Sequence, residues 1–255
     1  MPLFSVVIPV FNSSNSILGV LNSVLIQTVL PFEIIIIDDA STDNSFALIS
    51  NFCEKHHHLN ITIIHLNINK GVSFCRNLGI NKAISDYIVF LDSDDQWHKN
   101  KLEIFSKIVE IYNPDLLGHK YSDKTLQIND VSLDLKKIKK IKLVTLLFRN
   151  IFQTSCVLIK NRKNYLFNET MSFCEDYDLF LKITERTSNS YFYDEILTQL
   201  GRPQLSKGGL SEKKIKMRLG EISALSNILI FKKLYILIPF VILFSFIKSI
   251  FKIFR

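Results

Sequence analysis

Cysteine is scarce in this chain, with 4 in 255 residues, and Cys53, Cys75, Cys156 and Cys174 form no C-x-x-C pair. Their spacing excludes a cysteine zinc site and a dense disulfide framework, and fits reduced, mostly buried thiols in a cytosolic protein. There is no internal repeat, which excludes a solenoid. No positively charged n-region precedes the first apolar run, Phe4–Val10, so no secretory signal is expected. The apolar run Leu234–Ile247 contains Pro239 and is shorter than the roughly 20 residues that a spanning helix needs. The triplet His56-His57-His58 lies beside Glu54 and Lys55 and reads as a solvated connection rather than a metal patch.

What is present is apolar bulk. Hydrophobic residues make up 47% of the chain, 20 of them Phe, which excludes a disordered chain and supports one large or two small packed domains. The net charge is +7, and the surplus gathers at residues 136–142, 207–218 and 232–255. Such basic clusters fit a nucleic acid, an anionic lipid or a phosphorylated substrate.

The first hundred residues alternate between periods. Phe4–Val10, Glu33–Ile37, Ile61–Leu66 and Tyr87–Leu91 read as strands, and Asn15–Gln27, Thr42–His56 and Gly71–Ala83 as the helices between them. That series predicts a doubly wound, mostly parallel sheet flanked by helices, with ligands at the carboxyl ends of the strands. Lys99–Tyr112 reads as a helix ended by Asn113-Pro114. Asp115–Asp134 has no clear period. Leu135–Arg149 reads as a basic amphipathic helix, Thr154–Ile159 as a strand, Tyr177–Thr187 and Ser211–Ile230 as helices, and Gly201–Gly209 as a loop.

Carboxylates collect where the strands end. Asp38 and Asp39 follow the second strand, where a carboxylate can accept from a ribose hydroxyl or a base N–H. Asp92, Asp94 and Asp95 surround Ser93 after the fourth strand. Carboxylates that close repel each other unless a cation such as Mg²⁺ or Mn²⁺ sits between them, although a solvated turn capping the next helix is also open. Glu175, Asp176 and Asp178 open a later helix, where acidic residues are favoured by the helix dipole alone.

Together these segments carry a resemblance. Phe4-Ser5-Val6-Val7-Ile8-Pro9-Val10-Phe11-Asn12, Ile36-Ile37-Asp38-Asp39-Ala40-Ser41-Thr42-Asp43 and Gly71-Val72-Ser73-Phe74-Cys75-Arg76-Asn77 come first. Phe90-Leu91-Asp92-Ser93-Asp94-Asp95, Thr154-Ser155-Cys156-Val157-Leu158-Ile159 and Glu175-Asp176-Tyr177-Asp178 complete the set. In this order they resemble the family 2 glycosyltransferases of the GT-A fold, bacterial enzymes of cell-surface polysaccharide, O-antigen and lipopolysaccharide synthesis. The resemblance spans residues 4–210.

The resemblance implies a UDP-sugar donor, a divalent cation (Mn²⁺ or Mg²⁺) and inverting transfer of a hexose or N-acetylhexosamine to a saccharide hydroxyl. It implies that Pro9, Val10 and Phe11 hold the uracil and that Asp39 reads the nucleotide. Arg76 would lie near the nucleotide and phosphates. Asp92, Ser93 and Asp94 would form the D-x-D turn, with Asp94 on the metal and Asp92 toward the metal and donor sugar. Asp176 would be the general base, Thr154–Cys156 would line the acceptor side, and Ser206–Ser211 would cover the diphosphate. Trp97 is open between a sugar contact and a core role. Two other readings stand beside this one: a polyprenyl-phosphate sugar synthase of the same fold, and a non-catalytic nucleotide-binding scaffold. A receiver-like signalling domain is disfavoured, because the third strand runs into Leu66-Asn67 and supplies no acceptor Asp.

The division expected is a donor-binding half over residues 1–112, an acceptor and base half over 113–210, and C-terminal helices with a membrane-associating tail over 211–255. In that tail Ser245, Lys248, Lys252 and Arg255 share one helical stripe, opposite Ile247, Ile250, Phe251 and Phe254. An apolar face beside a basic one suits the membrane interface. The expectation is therefore a peripheral protein on the cytoplasmic face of the inner membrane, acting on a lipid-linked acceptor and not on nucleic acid.

Overall fold

The structure is a computed structural model and describes residues 2–126, 129–201, 214–237, 239, 240, 242 and 243. Its first part runs β1 (Phe4–Val10), α1 (Ile17–Leu25), β2 (Glu33–Asp38), α2 (Ser45–Lys55), β3 (Ile61–His65), α3 (Val72–Lys82) and β4 (Tyr87–Phe90). β5 (Gln96–Trp97), α4 (Lys101–Tyr112), β6 (Leu116–Ser122), β7 (Ile138–Ile141) and α5 (Leu143–Phe148) follow. β8 (Val157–Lys160), α6 (Glu175–Thr187), β9 (Ser190–Gln199) and α7 (Lys214–Phe231) complete the described elements.

One nine-stranded sheet has the order β3-β2-β1-β4-β8-β6-β9-β5, with β7 paired to β9. β3, β2, β1 and β4 are parallel, as the alternation of strand and helix dictates. Beyond β4 the sheet is mixed: β8 runs antiparallel to both β4 and β6, and β6 runs parallel to β9.

Two cores result from the period-2 alternation of the strands. Val6, Ile8, Val10, Ile34 and Ile36 face one layer, with Ile17, Leu21, Leu102 and Phe105 from α1 and α4. Val7, Ile35 and Ile37 face the other, with Ile80 of α3, Phe180 of α6 and Leu225 of α7. The run Ile34–Ile37 is continuous because both its faces are covered, and each such side chain contributes about 1.5–3 kcal/mol on burial.

The second half departs from the sequence reading. Leu135–Arg149 is not one helix. Asp134 caps a single 3₁₀ turn at Leu135–Lys137, and Ile138–Ile141 pairs antiparallel with β9. The periodicity there came from Leu135, Ile138 and Ile141, but the pairing partner lies some fifty residues away in sequence, and Lys137 and Lys139 meet Glu195 and Asp194 on it. Only Leu143–Phe148 is helical. Asp115–Asp134 contains β6, which its polar end and Gly118 hid; a Cβ at Gly118 would stand 2.3 Å from the Phe152 ring. Thr154–Cys156 is a 3₁₀ turn, and the strand starts at Val157. The expected loop 201–209, the Ser206–Ser211 cover and the stripe from Ser245 to Arg255 lie outside the described residues, apart from Gly201.

Helix α3 packs so closely on β1 that a Cβ at Gly79 would meet Val7 Cγ1 at 2.3 Å. Overpacking of this kind costs about 1–3 kcal/mol. Gly79→Ala is expected to lower the urea midpoint accordingly, with the denaturant slope unchanged; an unaltered midpoint would show that α3 can shift freely on the sheet.

Candidate active site

The carboxyl ends of β1, β2 and β4 lie side by side, and the chain leaves each one into a polar turn. At the end of β1, Pro9 and Val10 are buried while Phe11 is 48% exposed. The next residue, Asn12, adopts a left-handed conformation with φ 48° and accepts from the Thr42 amide at 2.8 Å. The β1 turn is thereby fastened to the turn after β2. Ser13 Oγ lies 2.6 Å from Ser93 Oγ, and Ser16 Oγ donates to the Ser93 carbonyl at 2.7 Å. Ser93 therefore joins the β1 turn to the D-x-D turn.

After β2 the two aspartates part company. Asp39 is buried, and its carboxylate accepts from the backbone amides of Lys70 at 2.7 Å and Gly71 at 2.8 Å. Gly71 has φ 88°, a conformation open to glycine, and leads directly into α3. Asp39 thus shapes the entry to α3. Asp38 accepts from Ser41 N and pairs with His65 Nδ1 at 2.8 Å, while its Oδ1 is buried without a partner among the described residues.

One turn along α3 stands Arg76, only 4% exposed. Its Nη2 donates to Asp92 Oδ1 at 2.7 Å and its Nη1 to Glu175 Oε1 at 3.0 Å. The guanidinium also lies over the Phe167 ring, 5.2 Å from its centroid. The neighbouring Asn77 holds that ring in place, its amide donating to the Phe167 carbonyl at 2.9 Å and accepting from the Phe167 amide at 2.8 Å. Burial opposes the charge on Arg76, but Asp92 and Glu175 outweigh it and push its pKa up.

Asp92, Ser93 and Asp94 are all partly exposed, whereas Asp95 turns inward and is 4% exposed. Asp95 accepts from the Gly201 amide at 2.9 Å. Desolvation and the nearby Asp92 push its carboxyl up to about 7. Gly201 sits so tightly on this turn that a Cβ there would be 1.8 Å from the Asp94 carbonyl.

The turn Thr154–Cys156 is the anchor that the sequence reading missed. Ser155 Oγ accepts from the Asp92 amide at 2.9 Å, and the Ser155 carbonyl accepts from Lys101 Nζ at 2.6 Å and from Trp97 Nε1 at 3.1 Å. Trp97 is 2% exposed and is a core residue rather than a sugar platform. Lys101 lies 4.0 Å from its ring centroid, and burial lowers the ammonium to about 7. A buried lysine carries no pattern in sequence; only its neighbours reveal it.

Helix α6 opens on Cys174, itself left-handed at φ 59°, and its first turn holds Glu175, Asp176 and Asp178. The structure gives each acid a different fate. Glu175 is committed to Arg76. Asp178 is 1% exposed, accepts from Lys182 at 2.6 Å and from Asn227 of α7 at 2.9 Å. Asp176 stays partly exposed, accepting from its neighbour's amide, Tyr177 N, at 2.7 Å and from Thr154 Oγ1 at 3.3 Å. Desolvation, and then the charge of Glu175, push its carboxyl up to about 7, against the pull of Arg76.

Among the described residues no group of three or more His, Cys, Asp or Glu side chains is arranged to hold a metal alone. Mg²⁺ and Mn²⁺ do not require one: they take one or two carboxylates and complete their shell with water and phosphate. Arg76 occupies Oδ1 of Asp92 and leaves its second oxygen, beside the partly exposed Asp94. This oxygen donor set fits such a cation.

The geometry agrees with comparisons to known proteins. The sequence matches the family described as Glycosyl transferase family 2 over residues 5–156. A glycosyltransferase of Haemophilus influenzae is 32% identical over 217 residues, covering 85% of this chain and 84% of that protein. The amylovoran biosynthesis glycosyltransferase AmsB of Erwinia amylovora is 37% identical over 107 residues, 42% of this chain and 36% of its own length. Among solved structures, Staphylococcus aureus TarS 1–349 in complex with UDP-GlcNAc superimposes with a TM-score of 0.67 at 22% identity, covering 88% of this chain and 67% of that one. The mannosyltransferase PcManGT of Pyrobaculum calidifontis, in complex with GDP-Man and Mn²⁺, gives a TM-score of 0.68 at 16% identity over 96% of this chain and 73% of that one. The fold is that of the GT-A enzymes, and the chain belongs to glycosyl transferase family 2.

Proposed function

We propose that the chain transfers a hexosyl or N-acetylhexosaminyl unit from a UDP-sugar to a hydroxyl of a lipid-linked saccharide, with inversion, in the assembly of a cell-surface glycan. The observation that carries this reading is the pairing of two unlike carboxylate groups across Arg76. On one side is a D-x-D turn at a strand end. On the other is Glu175 and, directly after it, Asp176, a carboxylate raised into the range of a working base. The nucleotide in the TarS complex and the amylovoran role of AmsB support the donor class and the product class.

The mechanism follows from the residues. The turn of Pro9, Val10 and Phe11 and the carboxylate of Asp39 bind the base and ribose. Asp92 and Asp94 would hold a divalent cation, which when bound supplies positive charge to the departing diphosphate. Ser93 keeps the D-x-D turn in register with the β1 turn through Ser13 and Ser16. The acceptor hydroxyl loses its proton to Asp176 as it attacks the anomeric carbon. Double displacement would need a second, nucleophilic carboxylate. Glu175 is bonded to Arg76 and 8% exposed, and Asp178 is held by Lys182 and Asn227. One base and one displacement give inversion.

We also place the chain on the cytoplasmic face of the inner membrane, held there by its C-terminal tail. Leu234–Ile247 and the basic stripe to Arg255 support this, as do the exposed Ile236, Phe240 and Leu243. Among the described residues no helix is long and apolar enough to cross a membrane.

Four outcomes are expected. Asp176→Asn lowers the rate of UDP release from the accepted UDP-sugar by about 10²–10⁴-fold while UDP still binds in calorimetry; full activity would favour a phosphate acceptor, as in a polyprenyl-phosphate sugar synthase. A base works deprotonated, so the wild-type rate should rise as pH increases through about 7 and level off above it. Asp94→Ala loses Mn²⁺-dependent UDP binding, and retention of that binding would remove the metal assignment. Truncation after Leu234 should release the protein from liposomes in flotation; a truncated chain that still floats overturns the tail's role.

A further inference from the structure

Among the described residues, Arg76 is the charged group committed at once to both proposed halves of the reaction. The resemblance placed it near the nucleotide phosphates. The structure gives it other work. Both of its terminal nitrogens are bonded to protein carboxylates, Asp92 and Glu175, at 2.7 and 3.0 Å. Its Nε is buried without a partner among the described residues, and the side chain as a whole is only 5% exposed. Its flat face is covered by Phe167, and Asn77 locks Phe167 through two backbone bonds and also donates to Glu169 at 2.7 Å. A guanidinium boxed in on this many sides is rigid. Its planar fork fixes the separation and orientation of the two carboxylates it joins.

The two carboxylates belong to segments far apart in sequence. Asp92 is in the D-x-D turn after β4, and Glu175 is the first residue of α6, directly before Asp176. We propose that Arg76 and Glu175 are positioning residues, a buried link that fixes Asp176 relative to the D-x-D turn, rather than a donor-binding pair. The proposal rests on the reading of Asp176 as the base and of Asp92 and Asp94 as the donor side. A second tie runs parallel to it: Thr154 bonds Asp176 and the adjacent Ser155 bonds the Asp92 amide. The base is thus held to the donor turn by one charged link and one neutral link.

Each link has a different signature when cut. Asp176 is faced by Glu175 and Cys174 on its own segment, by Arg76 from α3 and by Thr154 from the turn before β8. Glu175→Gln keeps the shape and removes a negative charge beside the base. Arg76→Lys keeps the positive charge and loses the fork.

The test uses the full chain, with UDP plus Mn²⁺ as the binding probe and UDP release from the accepted UDP-sugar as the rate. Glu175→Gln and Arg76→Lys are expected to bind UDP within about twofold of wild type and to lose about tenfold or more in kcat, since small misplacements of a reacting group cost that much. Glu175→Gln should also move the midpoint of the pH–rate profile downward, which a merely structural defect would not do. If Arg76→Lys loses UDP affinity as Asp94→Ala does, Arg76 is a donor ligand and the proposal is overturned. Unchanged kcat and pH profile in Glu175→Gln overturn it as well, even if Arg76→Lys fails to fold. Asp176→Asn separates the two levels. Full activity in that variant removes the base assignment itself, whereas an inactive Asp176→Asn beside a normal Glu175→Gln removes only the link.

Discussion

A buried positive charge cannot stand alone in a protein interior, and the site is organised around that constraint. Arg76 is 4% exposed, so its charge must be met by carboxylate, as it is by Asp92 and Glu175, and removing both would leave it uncompensated. Losses of this kind run to about 3–5 kcal/mol. The demand draws the turn after β4 and the head of α6 onto the same face of α3. Phe167 closes the remaining side, and Asn77 holds Phe167.

The same logic sorts the acidic first turn of α6. Three carboxylates lie within four residues of sequence, and the helix dipole favours all of them. Pairing distinguishes them: Glu175 to Arg76, Asp178 to Lys182 and Asn227, and Asp176 to a hydroxyl and a backbone amide only. Asp176, with no cation bonded to it, has its affinity for a proton raised. Its burial and the charge of Glu175 raise it, and Arg76, one residue removed, prevents the rise from going further.

The D-x-D turn is held just as firmly from below. Ser155 accepts from the Asp92 amide and, through its carbonyl, collects Lys101 and Trp97; Ser13 and Ser16 hold Ser93; Gly201 lies against Asp94 and donates to Asp95. None of these contacts needs a charged ligand to form. The turn is preorganised by these hydrogen bonds, by the Arg76 bond to Asp92 and by close packing, which leaves Asp92 and Asp94 partly exposed at its rim.

The sequence by itself determined the parallel half of the sheet and the addresses of the carboxylates. Buried β-branched runs such as Ile34–Ile37 and the helices between them are local patterns, and strand ends place Asp39, Asp92 and Asp94 without any knowledge of packing. It could not determine β6, β7 and β9, whose pairing partners are distant in sequence. Gly118 beneath the Phe152 ring, and Lys137 before β7 and Lys139 in it meeting Glu195 and Asp194, make sense only once those strands are adjacent. Nor could it show that Arg76 is spent on two carboxylates, that Trp97 is core, or that Ser155 anchors the D-x-D turn. Those are decided by tertiary structure, because a side chain's role depends on which charges and hydrogen-bonding groups the fold brings within about 3 Å of it, and no local pattern encodes that distance.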